Sequence, residues 1–196
     1  RHNYSFILIG GFVFAIIFLD LLQANQIQAQ IFRNRSVFRS RFFCLPANED
    51  SRREFEIGTK IPLFNGTDLS GWTNAEGNES KNWKVEDGML VRRNEGGDLY
   101  TTNQYENFIL EFEFKISEKG NSGVKYRCWN PSGYGLGYEY QIFDDINVPD
   151  NHPKYRTASL YDVFPPETDA SLLKLNDFNQ AKIVVMGNYI EHWLNG

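Results

Sequence analysis

The 196-residue sequence holds only two cysteines, two methionines and three histidines. So few soft ligands exclude the usual zinc sites, and no zinc spacing occurs anywhere in the chain. Cys44 and Cys128 allow at most one disulfide, and Cys44 lacks the small-residue context of a lipoprotein cleavage site. No stretch keeps a helical apolar period for three turns, which excludes a helical core. Basic charge is scarce where it would matter for phosphate binding. Residues 1–53 hold seven Lys/Arg against three Asp/Glu, a balance of +4, so the remainder carries −9 of the net −5. An acidic body of this kind excludes nucleic acid as a main partner. The main apolar run, Phe6 to Leu19, is too short to span a bilayer comfortably.

That run has the length of a secretory h-region, with a short basic start before it and small residues at Ala24 and Ala29 after it. The sequence therefore predicts a signal peptide or an N-terminal membrane anchor over 1–30. A linker or N-terminal arm over 31–58 and a folded domain over 59–196 follow. Such a leader places the protein outside the cytoplasm, as a secreted, periplasmic or envelope protein. It leaves the membrane as a partner only through an uncleaved N-terminal segment. Asn34, Asn65 and Asn78 each begin an N-x-S/T triplet, which matters only in a host that glycosylates.

From Lys60 onward the pattern changes to short alternating runs separated by Gly, Asn and Asp. These predict strands near 60–64, 82–85, 88–92, 98–101, 107–116, 122–129, 138–144, 157–163, 180–186 and 189–194. In "NFILEFEFKI", Ile109, Glu111 and Glu113 alternate against Leu110, Phe112 and Phe114. The two residues Gly187–Asn188 make a hairpin turn between the last two strands. Many short strands with regular turns predict an all-β antiparallel sandwich or barrel. Asn195–Gly196 is itself a strong turn signal with no strand after it, from which a longer natural protein is expected.

The motifs occur in a telling order: "LFNGTDLSGW" (63–72), "NWKVEDGMLV" (82–91), "FILEFEFKIS" (108–117), "GNSGVKYR" (120–127), "GYEYQIFDD" (137–145), "ASLYDVFPP" (158–166) and "IVVMGNYIEHWLNG" (183–196). In that order and spacing, residues 60–196 resemble the 3-keto-disaccharide hydrolase family. The resemblance implies a concanavalin A-like jelly-roll sandwich that lacks its last strands in this chain. It implies a secreted bacterial hydrolase or lyase cleaving 3-keto glycosides, with a carbohydrate as partner. The alternative class is a non-catalytic, lectin-like carbohydrate-binding module at the cell envelope.

Alternation along "SGVKYRCWN" predicts Lys125, Arg127 and Trp129 on one face, with Val124, Tyr126 and Cys128 on the other. Glu139, Gln141 and Phe143 share a face of the next strand. Aligned polar faces would set Arg127 beside Glu139 and lower its pKa. A keto group at C3 of a sugar acidifies the C2 hydrogen, so the implied reaction needs a base, an oxyanion partner and an acid. Glu139 is the candidate base, Arg127 the oxyanion partner, and Asp144 or His192 the acid. A divalent metal would serve the oxyanion role equally, although no ligand spacing marks one. Lys125, Trp129, Gln141, Tyr161 and Asp162 are the candidate substrate contacts. His192 shares its strand face with Ile190 and Leu194, which also fits a satisfied core histidine.

Overall fold

The computed structural model describes residues 5–10, 17–19, 38–44, 60–93, 97–129, 136–149, 151–167 and 172–196. Its strands are β1 (Ser5–Gly10), β2 (Ile17–Leu19), β3 (Phe38–Cys44), β4 (Lys60–Ile61), β5 (Trp72–Thr73), β6 (Trp83–Glu86) and β7 (Met89–Arg92). Then come β8 (Leu99–Thr101), β9 (Phe108–Lys115), β10 (Asn121–Trp129), β11 (Leu136–Phe143), β12 (Phe178–Met186) and β13 (Tyr189–Leu194). Two short 3-10 turns, Asp145–Asn147 and Pro153–Tyr155, follow β11. One sheet has the order β11-β10-β1-β8-β5 and the other β13-β12-β9-β3-β2, with β4 also on β3 and β6–β7 as a separate hairpin. All pairings are antiparallel except that of β2 with β3. The expected all-β sandwich of jelly-roll type is what the chain forms.

Alternation explains why these segments are strands and which way they face. Along β9 every second residue is buried, so Phe108, Leu110, Phe112 and Phe114 point into the sandwich. Opposite them, Val124, Tyr126, Tyr140 and Ile142 of the first sheet are almost fully buried. Ile183 and Val185 of β12 join the same cluster, with Trp83 and Leu90 of the hairpin closing it. Each large apolar side chain so buried contributes about 1.5–3 kcal/mol of transfer free energy. The β12–β13 turn occurs at Gly187–Asn188 as expected, between the paired residues Met186 and Tyr189, with Gly187 at a φ of 52°.

Two elements from residue 60 onward differ from expectation, and three short strands lie before residue 59. The backbone of β1, β2 and β3, from before residue 59, pairs with strands of the two sheets; the rest of residues 1–59, including Ala24 and Ala29, lies outside the described residues. The aromatic and β-branched residues of "SFILIG" and the phenylalanines of "FRSRFFC" have the β propensity that suits such pairing. Trp72–Thr73 is a short strand that sequence reading missed. The strand expected over 157–163 is reduced to isolated bridges, Tyr140 with Leu160 and Leu160 with Phe164. Ala158 and Asp162 take left-handed φ values of 68° and 59°, which interrupt any longer strand. No helix among the described residues is long and apolar enough to cross a membrane.

Candidate functional site

The outer face of the first sheet gathers the polar side chains that the inner, apolar face excludes. On β11, Tyr140 and Ile142 point inward, so Glu139 and Gln141 point out. Lys125 of β10 lies directly across from Glu139, and Gly123 directly across from Gln141. On the other side of β11, the Tyr161 N–H donates to the Glu139 carbonyl (3.0 Å), and the Gln141 N–H donates to the Ser159 carbonyl (3.2 Å). Since Leu160 bridges inward-facing Tyr140, Tyr161 stands opposite Glu139. The result is a row across three segments: Tyr161, Glu139, Lys125.

Glu139 is half-buried within this row. Burial pushes its carboxyl up to about 7, against the pull of the Lys125 ammonium and with help from the Asp98 charge. The carboxyl thus stays poised between its two protonation states near neutral pH, as a group that both takes and returns a proton must. Tyr161 is 41% exposed, and its phenol is pushed up by burial, by Glu139 and by Asp162. Its ring lies 5.2 Å from that of Tyr155, which lies 5.6 Å from His152. Tyr155 O–H donates to the Asp162 carboxylate (3.2 Å), so Asp162 braces this aromatic wall.

Arg127 does not stand beside Glu139, which corrects the expected pairing. The β10–β11 register shifts between Tyr126 and Trp129, and Arg127 sits in the shift with a left-handed φ of 52°. This bulge adds one residue to β10 and breaks the alternation. Cys128 therefore joins the Lys125 face, where burial pushes its thiol up to about 12 and the Lys125, Asp98 and Glu139 charges act on it. It is a buried free thiol packed against Tyr100 of β8. The Arg127 guanidinium acts instead on the Tyr126 phenol, and its Nε is buried without a hydrogen-bond partner. The positive neighbour of Glu139 is Lys125, and the carboxyl is raised rather than lowered. The Trp129 side chain lies outside the described residues.

Neither expected acid reaches this face. Asp144 is 1% exposed; its carboxylate accepts from the Lys119 N–H (2.7 Å) and from the Ile146 N–H (3.3 Å). It caps the turn Asp145–Asn147 and ties it to the loop before β10. His192 lies on the inner side of the sheet, its ring 4.8 Å from that of Tyr140. Its Nδ1 lies 3.0 Å from the Ala158 carbonyl, which can only accept, so Nδ1 carries the proton and Nε2 accepts from Tyr126 O–H (2.8 Å). Burial lowers its pKa to about 4, so it is neutral. The sheet itself separates His192 from Glu139. Gln141 is on the right face but 3% exposed, its Oε1 accepting from the Ile142 N–H (3.2 Å). Glu111 and Glu113 face Lys182 and Gln180 on the other sheet, away from Glu139.

Sequence reading missed three residues that the fold brings here: Asp98, Tyr100 and Gly123. Asp98 lies just before β8 and Tyr100 within it, but nothing local says that β8 lies near β10. A glycine inside a strand is a local signal for close approach, and Gly123 carried it. Among the described residues no three His, Cys, Asp or Glu gather to hold a metal.

Comparison with known proteins agrees with this architecture. The chain is 29% identical over 161 residues to a 3-keto-disaccharide hydrolase of Bacteroides thetaiotaomicron, a match covering 69% of this chain and 55% of that protein. The chain thus spans about half the length of the curated relative it matches. A family model described as a 3-keto-alpha-glucoside-1,2-lyase-like domain matches residues 59–196, most of the sequence. The chain belongs to the family of 3-keto-alpha-glucoside-1,2-lyase-like domains.

Proposed function

We propose that this protein cleaves the glycosidic bond of 3-keto glycosides or 3-keto disaccharides, with Glu139 as the group that moves the proton. One observation carries the reading. A half-buried carboxyl poised at about 7 faces a lysine on the outer face of the sheet. The Glu139 carboxylate removes the C2 proton, and the C–H electron pair becomes an enolate on the C3 oxygen. Lys125 meets the charge on that oxygen. The enolate collapses to a C1–C2 double bond as the C1–O bond breaks, and the leaving oxygen takes the proton that Glu139 received. Water then adds across the double bond to give the free keto sugar. One carboxyl near neutrality serves as base and then as acid, so Asp144 and His192 are not needed. Tyr161, with Tyr155 behind it, offers an aromatic face to the sugar ring, and its hydroxyl a polar contact.

The carrying experiment is turnover of a 3-keto disaccharide by the folded chain and by Glu139→Gln. Loss of turnover by about 1,000-fold is expected on removing a general base. Unchanged turnover removes Glu139 from the reaction. Saturable sugar binding with no free keto sugar formed by either protein would leave the lectin-like module as the function.

A further inference from the structure

We propose that Gly123 is a positioning residue for the Glu139 carboxyl. The absent side chain at Gly123 lets that carboxyl lie back across β10. This inference rests on Glu139 being the proton-handling group proposed above.

The geometry at Gly123 is specific. A Cβ built there would stand 2.3 Å from Glu139 Oε1 and 3.0 Å from its Cδ and Cγ. No side chain larger than hydrogen coexists with this carboxyl position. Glycine is costly inside a strand, by about 0.5–1 kcal/mol relative to alanine, and here no backbone demand offsets the cost. Gly66, Gly71, Gly77 and Gly187 have left-handed φ values and open space around a built Cβ. Gly123 shows the reverse: its φ lies outside the left-handed region, and its space is filled by a carboxylate. It sits diagonal to Glu139, opposite Gln141, so the side chain crosses from its own strand onto the neighbouring one.

Asp98 lies just before β8, two residues from Tyr100, which packs on Cys128 of β10 across the intervening β1. The Asp98 charge acts on Glu139, Cys128 and Tyr100 alike. Among the described residues, the titratable groups acting with the Glu139 carboxyl are Lys125 and Cys128 from β10, Asp98 just before β8, and Tyr161 from the segment bridged to β11. Cys128 and Tyr161 are neutral at pH 7, Lys125 favours the carboxylate, and Asp98 favours the acid. Gly123 sets where the carboxyl lies. Asp98 opposes Lys125 once it is there.

The test reads Glu139 directly, apart from any turnover. Glutamate-labelled full chain is titrated by carboxyl carbon NMR, with the Glu139 signal assigned from its absence in Glu139→Gln. The Glu139 midpoint is expected to fall from about 7 toward its ordinary 4.5 in Gly123→Ala, because the displaced carboxyl moves into water. Where a 3-keto disaccharide is turned over, the acid limb of the pH–rate profile shifts by the same amount in Gly123→Ala. A midpoint unchanged in folded Gly123→Ala overturns the proposal. Should Gly123→Ala fail to fold, the double variant Gly123→Ala with Glu139→Ala decides: a folded double variant shows that the carboxyl fills this space and supports the proposal, and an unfolded one overturns it. A midpoint that falls in a protein with no turnover at all would uphold the positioning role of Gly123 while sinking the proposed reaction.

Discussion

At the scale of single residues, the two cations of β10 make opposite predictions. Lys125 faces Glu139 across the strands, whereas Arg127 sits in a bulge and acts on Tyr126. Lys125→Gln removes the positive charge meant for the enolate oxygen, so kcat should fall by about 100-fold, with the fold intact by circular dichroism. It also removes a cation that opposes protonation of Glu139, so the acid limb of the pH–rate profile should move to higher pH. Arg127→Gln should change kcat less than about tenfold, because no proton or oxyanion role falls to it. Steady-state kinetics of the two variants settles the assignment. Equal losses would return Arg127 to the site and discard the role of the bulge.

At the scale of elements, the site depends on how segment 157–161 is held to β11. Thr157 Oγ1 donates to the Phe143 carbonyl (2.9 Å) and accepts from the Phe143 N–H (3.0 Å), while its own N–H donates to Asp145 (2.7 Å). Thr157 is 2% exposed. Thr157→Val keeps the shape and strands both backbone groups of Phe143, so urea unfolding should show a loss of about 2 kcal/mol. Turnover should fall as well, since Tyr161 loses its anchor opposite Glu139; a variant of wild-type stability would contradict this. The same element shows what was legible beforehand. Alternation in "GYEYQIFDD" placed Glu139 and Gln141 on one face and Tyr140 inside, and the family motifs gave the sandwich. Pairing with segment 157–161 depends on left-handed turns at Ala158 and Asp162, which no local pattern announced. The bulge at Arg127 was equally silent, because an alternating stretch reads the same with or without an extra residue. One silent residue moved Cys128 to the site face and took Arg127 away from it. Asp144 looked like a free carboxylate because capping is visible only once the turn Asp145–Asn147 exists.

At the scale of the whole molecule, buried titratable groups make stability depend on pH in opposing directions. Glu139 is raised from 4.5 to about 7 on folding, so the folded state binds its proton more tightly. The stability from that proton is fully present below 4.5 and lost as pH rises through about 7. Asp145 behaves alike, raised by burial from 3.8 to about 6. His192 runs the other way, lowered from 6.5 to about 4. The unfolded chain takes its proton first, so the stability of the neutral ring is present above 6.5 and lost as pH falls through about 4. Two neutral substitutions separate the contributions. Glu139→Gln cannot ionise, so it should exceed the wild type at pH 8 by on the order of 1 kcal/mol after solvent screening, and the gap should close below pH 4.5. His192→Gln should be less stable than the wild type at pH 8, because the Tyr126 hydroxyl and the Ala158 carbonyl lose their common partner. That deficit should shrink toward pH 4, where the wild type gives up its own advantage. Urea unfolding of the three proteins from pH 4 to pH 8 measures both trends. A Glu139→Gln variant no more stable than the wild type at pH 8 would mean that the carboxylate is well accommodated where it lies. The same protein would then lack the stored ionisation cost that makes Glu139 a competent base near neutrality, because a carboxylate content in its site has no tendency to take up a proton.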